Sequence, residues 1–152
     1  MKLTYLALTL PLAFSAPVFL GADEHANQED AGEHSEDSLH EQMEQLQQAM
    51  GKLRRAMRDE SQLPAALEAL TEMQTAIVLS KAQVPDSAKA IAEGDRARYV
   101  AGYRKMLIEL CTKTLALESA LIDRNKDAAK TLFREIRGME ETGHDKYQGE
   151  EQ

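Results

Sequence analysis

Residues 38–58 read SLHEQMEQLQQAMGKLRRAMR. Leu39, Met43, Leu46, Met50, Leu53 and Met57 recur there at alternating steps of four and three, which places them in one stripe along an α-helix. Ser38 followed three residues later by Glu41 is a capping-box pair, so the helix is expected to open at Ser38 and to end near Arg58. The stripe is one face and not a hydrophobic surround, so the helix needs no membrane.

The pattern repeats downstream. Asp59-Glu60-Ser61-Gln62 is a polar break, and Pro64 suits the first turn of a second helix. Leu63, Leu67, Leu70, Met73, Ile77 and Val84 are expected to be its buried side, closed by Pro85. Residues 85–94 read as a longer connection with a short helical turn at Ala88–Ala92. A third helix is expected from Asp95 to Ile122 along Tyr99, Tyr103, Met106, Leu110, Leu117 and Leu121. Asp123-Arg124-Asn125 is a tight turn, and a fourth helix continues on Ala129, Leu132, Phe133, Ile136, Met139 and Tyr147. Four helices joined mostly by short links predict an all-α, antiparallel up-down-up-down four-helix bundle over residues 38–148, with 149–152 as a tail.

Composition agrees. A chain of 152 residues rich in Leu, Ala, Met, Glu and Gln, without Trp and with few Gly and Pro, favours one helical domain over a β or doubly wound fold. The single Cys excludes an intramolecular disulfide framework and a four-thiolate metal site. A net charge of −8 argues against a nucleic-acid binder, which needs a basic surface to displace counterions from phosphates. Met1-Lys2, the apolar run Leu3–Leu20 and the small pair Gly21-Ala22 have the layout of a cleavable signal peptide over residues 1–22. The mature protein is therefore expected to be exported and free of the membrane. Residues 23–37 hold seven acids and no Lys or Arg, whereas 38–152 carry a formal charge of only −2. That acidic arm lacks large apolar residues and is expected to be disordered.

Catalytic motifs are missing: there is no G-x-S-x-G, no phosphate-binding Gly loop, no H-E-x-x-H and no C-x-x-C. The chain is not expected to be an enzyme. His144, in the last turn of the fourth helix, is the only histidine outside Asp23–His40. Met43 lies about 7–8 Å into the first helix and His144 about 4–5 Å from the end of the fourth. In an up-down-up-down bundle these are the same end, so the two side chains are expected at similar depth on one interior. A thioether facing an imidazole is the donor set of Met/His-ligated haem iron. A plainer reading stays open for each: Met43 as core filling and His144 as a cation complementing the helix dipole.

Leu39-His40-Glu41-Gln42-Met43-Glu44-Gln45-Leu46 resembles the opening helix of the soluble cytochrome b562 family, whose methionine is an axial haem ligand. Gly143-His144-Asp145-Lys146-Tyr147 resembles the family's closing H-x-K-Y segment, which carries the other ligand. Ala69-Leu70-Thr71-Glu72-Met73 and Tyr99-Val100-Ala101-Gly102-Tyr103 resemble its second and third helices. The resemblance covers about residues 38–148. It implies a periplasmic electron carrier that holds one non-covalent haem b between Met43 and His144 and exchanges electrons with redox partner proteins. Leu46, Met73, Tyr99, Tyr103, Met106 and Phe133 are then the expected lining of the haem pocket, the tyrosines and Met73 chiefly through the resemblance. The chain is expected to be a monomer. The absence of C-x-x-C-H agrees with a haem that is not covalently attached.

One departure stands out: family members can carry Arg four residues before the ligand histidine, where this chain has Glu140. Arg137 or Lys146 are candidates to compensate. Cys111, beside Leu110, reads as a small, partly buried residue. His25, His34 and His40 lie among carboxylates, and Arg54, Arg55 and Arg58 complement the end of the first helix. The competing function is a haem-free exported bundle acting as an adaptor or stress-related binding protein, with Met43 and His144 as ordinary packing and capping residues.

Overall fold

A computed structural model of the chain describes residues 30–148, with side chains from Ser38 onward. Among the described residues there are four α-helices, two 3-10 turns and no strand. Helix α1 spans Asp30–Ala56, α2 Leu63–Ser80, α3 Glu93–Ile122 and α4 Lys126–Tyr147, with the 3-10 turns at Glu60–Gln62 and Asp86–Ala90. The expected signal peptide, residues 23–29 of the acidic arm and the tail 149–152 lie outside the described residues.

Four boundaries differ from the expectation. Helix α1 starts at Asp30, so Ser38 is not its cap and residues 30–37 are helical rather than irregular. Asp30 and Glu33 place acids in the first turn, at the positive end of the helix dipole, and extending an existing helix costs far less than starting one. Helix α2 ends at Ser80, four residues before Val84, which is exposed and not part of the core. Pro85 disfavours helical backbone at Val84 and has no N–H to continue the ladder. The short turn falls at Asp86–Ala90 instead of Ala88–Ala92, and α3 begins two residues earlier than expected, at Glu93.

The core is built by Leu46 and Leu53 of α1, Leu70, Met73 and Ile77 of α2, Leu107 and Leu117 of α3, and Ile136 of α4. Each comes from the apolar side of its helix, so the arrangement fits a four-helix bundle. Helix α1 packs on α2, α2 on α3, and α3 on α4. Polar links run in the same order: Lys52 to Glu72 at 2.8 Å, Gln74 to Glu118 at 2.7 Å, and Lys113 to Glu135 at 2.7 Å. The short α3–α4 link runs through Arg124, whose φ of 56° makes it the one non-glycine residue with positive φ among the described residues. Asn125 then caps α4 by accepting from the Ala128 N–H. Helices α1 and α4 make little close backbone contact with each other, which leaves room for a gap between them.

Candidate functional site

The middle turns of α1 and the last turns of α4 border one cleft, floored by α3 and closed at one side by Pro85 and Asp86. Its volume is about 580 Å³, within the range of small-molecule and cofactor sites. Leu39, Met43 and Leu46 enter from α1, Tyr103, Met106, Leu107 and Leu110 from α3, and Met139, Gly143, His144 and Tyr147 from α4. The amphipathic pattern explains this: near the bundle's end each apolar stripe continues past the packed core and faces the gap. Gly143 keeps the gap open, because a Cβ there would stand 3.1 Å from the Met106 sulfur.

His144 is held from its own helix. The Gln148 N–H donates to the His144 carbonyl at 3.0 Å, and Gln148 Oε1 lies 2.5 Å from His144 Nδ1. An amide oxygen only accepts, so with Oε1 facing the ring the contact is a hydrogen bond when Nδ1 carries the proton, the tautomer in which Nε2 keeps the lone pair. That is the tautomer of a histidine that ligates through Nε2.

The turn that carries His144 is tied down by neighbours. Tyr99 OH donates to the Lys146 carbonyl at 2.7 Å and stands 2.9 Å from Ser87 Oγ, which donates to the Tyr147 carbonyl at 2.8 Å. These bonds satisfy carbonyls that a helix end leaves without partners. The Tyr147 ring packs against Tyr99 and Tyr103, with centroids 5.1 Å and 5.3 Å away. Tyr103 is buried, its OH reaches the Ser80 carbonyl at 3.3 Å, and burial pushes its phenol up to about 12.

Of the residues singled out from sequence, Met43, Leu46, Tyr103, Met106 and His144 share this cleft. The structure places three others outside its lining. Met73 is fully buried in the core, Tyr99 braces the end of α4, and Phe133 is half-buried against the core. His40, Leu107, Leu110, Met139 and Gln148 belong to this wall although the sequence does not single them out as pocket residues. Gln148 is findable, since it sits four residues after His144, the spacing at which helical side chains meet. His40 carries no such signal.

Among the described residues three carboxylate side chains, Glu44, Asp86 and Glu140, also line the cleft, and no Lys or Arg does. Arg137 and Lys146 are exposed and outside this lining, so neither offsets Glu140 there.

A family model described as Cytochrome b562 matches residues 38–148. The chain belongs to the cytochrome b562 family. No curated protein and no solved structure matches it. Membership makes it a haem-binding protein of electron-transfer type, in a family of carriers and not typically of enzymes. The cytochrome b562 match begins at Ser38 and ends at Gln148, so it covers every residue of the cleft. The residues present fit a haem. A thioether and an imidazole with a free Nε2 border one slot, and its walls are mostly aliphatic, thioether and aromatic. Among the described residues no helix of this cytochrome b562 relative is long and apolar enough to cross a membrane.

Proposed function

We propose that this protein is an exported, periplasmic electron carrier that holds one non-covalent haem b, with Met43 and His144 as the axial ligands. The observation that carries the reading is that these two side chains, 101 positions apart, border the same cleft between α1 and α4. Support for export comes from the N-terminal pattern of basic start, apolar run and small-residue ending. The helices are taken to run up-down-up-down, a topology for which cytochrome b562 is itself a standard example. Links of a few residues between α1 and α2 and between α3 and α4 support it.

When bound, a haem supplies four equatorial nitrogens and a reversible ferrous–ferric couple. The chain's own work is then positional. His144 offers Nε2 because Gln148 occupies Nδ1. Met43 offers a neutral, polarisable sulfur, which favours the ferrous state and raises the potential. Leu46, Met106 and Tyr103 exclude water from the slot. A haem held by both Met43 and His144 would leave no open position for oxygen or peroxide, so the reading is transfer and not catalysis.

Absorption spectroscopy tests it. The purified protein supplied with haem should show a Soret band and sharp reduced α and β bands. His144→Ala should abolish the low-spin spectrum, and Met43→Ala should convert it to a weaker or high-spin form. A variant with an unaltered spectrum would remove that residue from its role.

A further inference from the structure

Among the described residues, six large apolar side chains stand out as exposed, and they belong to α2, to the segment just after it, and to α3. Three of them form a line. Ile108, Leu115 and Ile122 are 52, 53 and 58% exposed and recur every seven residues on α3. A heptad step drifts only about 20° around a straight helix, so these side chains share one outward stripe. Arg104, Cys111 and Glu118 recur at the same interval on the adjoining row, as the second position of a coiled-coil seam does. Gln74 of α2 donates to Glu118, which fixes this flank beside α2, and Val78, one turn beyond Gln74, is 51% exposed. Three large apolar side chains in register on the outside of one helix, two turns apart, offer a candidate contact line.

We propose that α3 pairs with α3 of a second copy of this chain, antiparallel, about a two-fold axis at Cys111. The charges select this occupant and this direction. Arg104 makes no ion pair among the described residues, and Glu118 has one oxygen engaged by Gln74 and the other unengaged. Arg104 and Glu118 lie seven residues either side of Cys111. A parallel pairing would set Arg104 against Arg104 and Glu118 against Glu118. The antiparallel pairing sets each Arg104 against Glu118 of the second copy, twice, and lays Ile108 beside Leu115. An isologous contact of this kind closes on itself and gives a dimer. From Arg104 to Ile122 the stripe runs about 27 Å, which suits a reversible pair and not the large interfaces of obligate dimers. Under this proposal the chain is a reversible dimer where the sequence reading expects a monomer, and the pairing does not depend on haem or its ligands.

Sedimentation equilibrium on the full chain, under reducing conditions and over a range of concentrations, decides it. The wild type should show a monomer–dimer equilibrium, and Leu115→Lys should be monomeric throughout. Arg104→Glu and Glu118→Lys should each weaken association about tenfold or more, and the double variant should regain most of the loss. Circular dichroism of each variant should keep the helical content of the wild type. A wild type that is monomeric at every concentration overturns the proposal. So does association that Leu115→Lys leaves intact, or a double variant as weak as the singles.

Discussion

His144 Nδ1 and Gln148 Oε1 stand 2.5 Å apart, one helical turn from each other at the end of α4. The contact lets the same turn that ends the helix also set the tautomer of the imidazole. Partners on the far nitrogen of a ligating histidine are worth roughly 10–100-fold in affinity. Gln148→Ala is therefore expected to weaken haem binding about tenfold in a titration tracked at the Soret band. Gln148→Glu keeps an acceptor and should retain binding. In the haem-free protein, nitrogen NMR of His144 should report the Nδ1–H tautomer in the wild type and a mixture in Gln148→Ala. An unchanged tautomer ratio would show that the amide does not set it.

A second test concerns the residue beside Met43. Gln42 is buried on α1, 8% exposed, and its Oε1 has no hydrogen-bond partner. A buried polar atom left unpaired costs about 1–3 kcal/mol. Gln42→Leu removes the atom at similar volume, so the haem-free protein is expected to gain about 1 kcal/mol in urea unfolding. A loss of stability instead would mean that the amide is satisfied in solution.

How far the sequence carries the fold and the site depends on which forces act locally. The four stripes were legible because amphipathic periodicity is a property of each helix alone, and the core residues Leu46, Leu53, Leu70, Ile77, Leu117 and Ile136 lie on them. Helix ends were less legible. Val84 extends the stripe of α2 by a clean seven-residue step, yet the constraint from Pro85 on the preceding backbone outweighs it. At the site, the meeting of Met43 and His144 at one cleft could be reasoned from an up-down-up-down order, but the depth of Met43 could not: α1 opens at Asp30, which sets Met43 about 20 Å along it instead of 7–8 Å. Nor could the separation of Tyr99 from that cleft. It lies four residues before Tyr103 on α3, but its hydroxyl is drawn to the open carbonyl of Lys146, and no pattern in α3 encodes the end of α4. The outward line on α3 was not legible either: Ile108, Leu115 and Ile122 lie off the stripe of Tyr103, Leu110 and Leu117, and their exposure comes only from the packed structure.

Gly102 offers a case where two local effects oppose each other. Alanine is about 1 kcal/mol better than glycine inside a helix. A Cβ at this position, however, would stand 2.9 Å from the Tyr147 hydroxyl, closer than real Cβ contacts allow. Tyr147 cannot swing away freely, because its buried ring is packed against both Tyr99 and Tyr103. Overpacking of this kind costs roughly 1–3 kcal/mol. Gly102→Ala is thus expected to lower the thermal midpoint despite its better helix propensity, and a raised midpoint would show that the Tyr147 ring yields.

The buried phenol of Tyr103 makes stability depend on alkaline pH. Burial pushes its ionisation up to about 12 in the folded protein, whereas an exposed tyrosine ionises near 10. The folded state therefore favours the protonated form. Its contribution is complete below pH 10, diminishes between about 10 and 12, and is gone above, so stability falls as pH rises through that window. Tyr103→Phe removes the ionisable group while keeping the ring that packs on Tyr147. Denaturation of haem-free wild type and variant at a series of pH values should give parallel curves below pH 10. Above it the wild type should lose stability faster than Tyr103→Phe. The tyrosines at 99 and 147 are common to both proteins, so the difference isolates position 103. Curves that stay parallel to pH 12 would mean that water reaches the phenol through the cleft, and would count against Tyr103 as part of a dry wall.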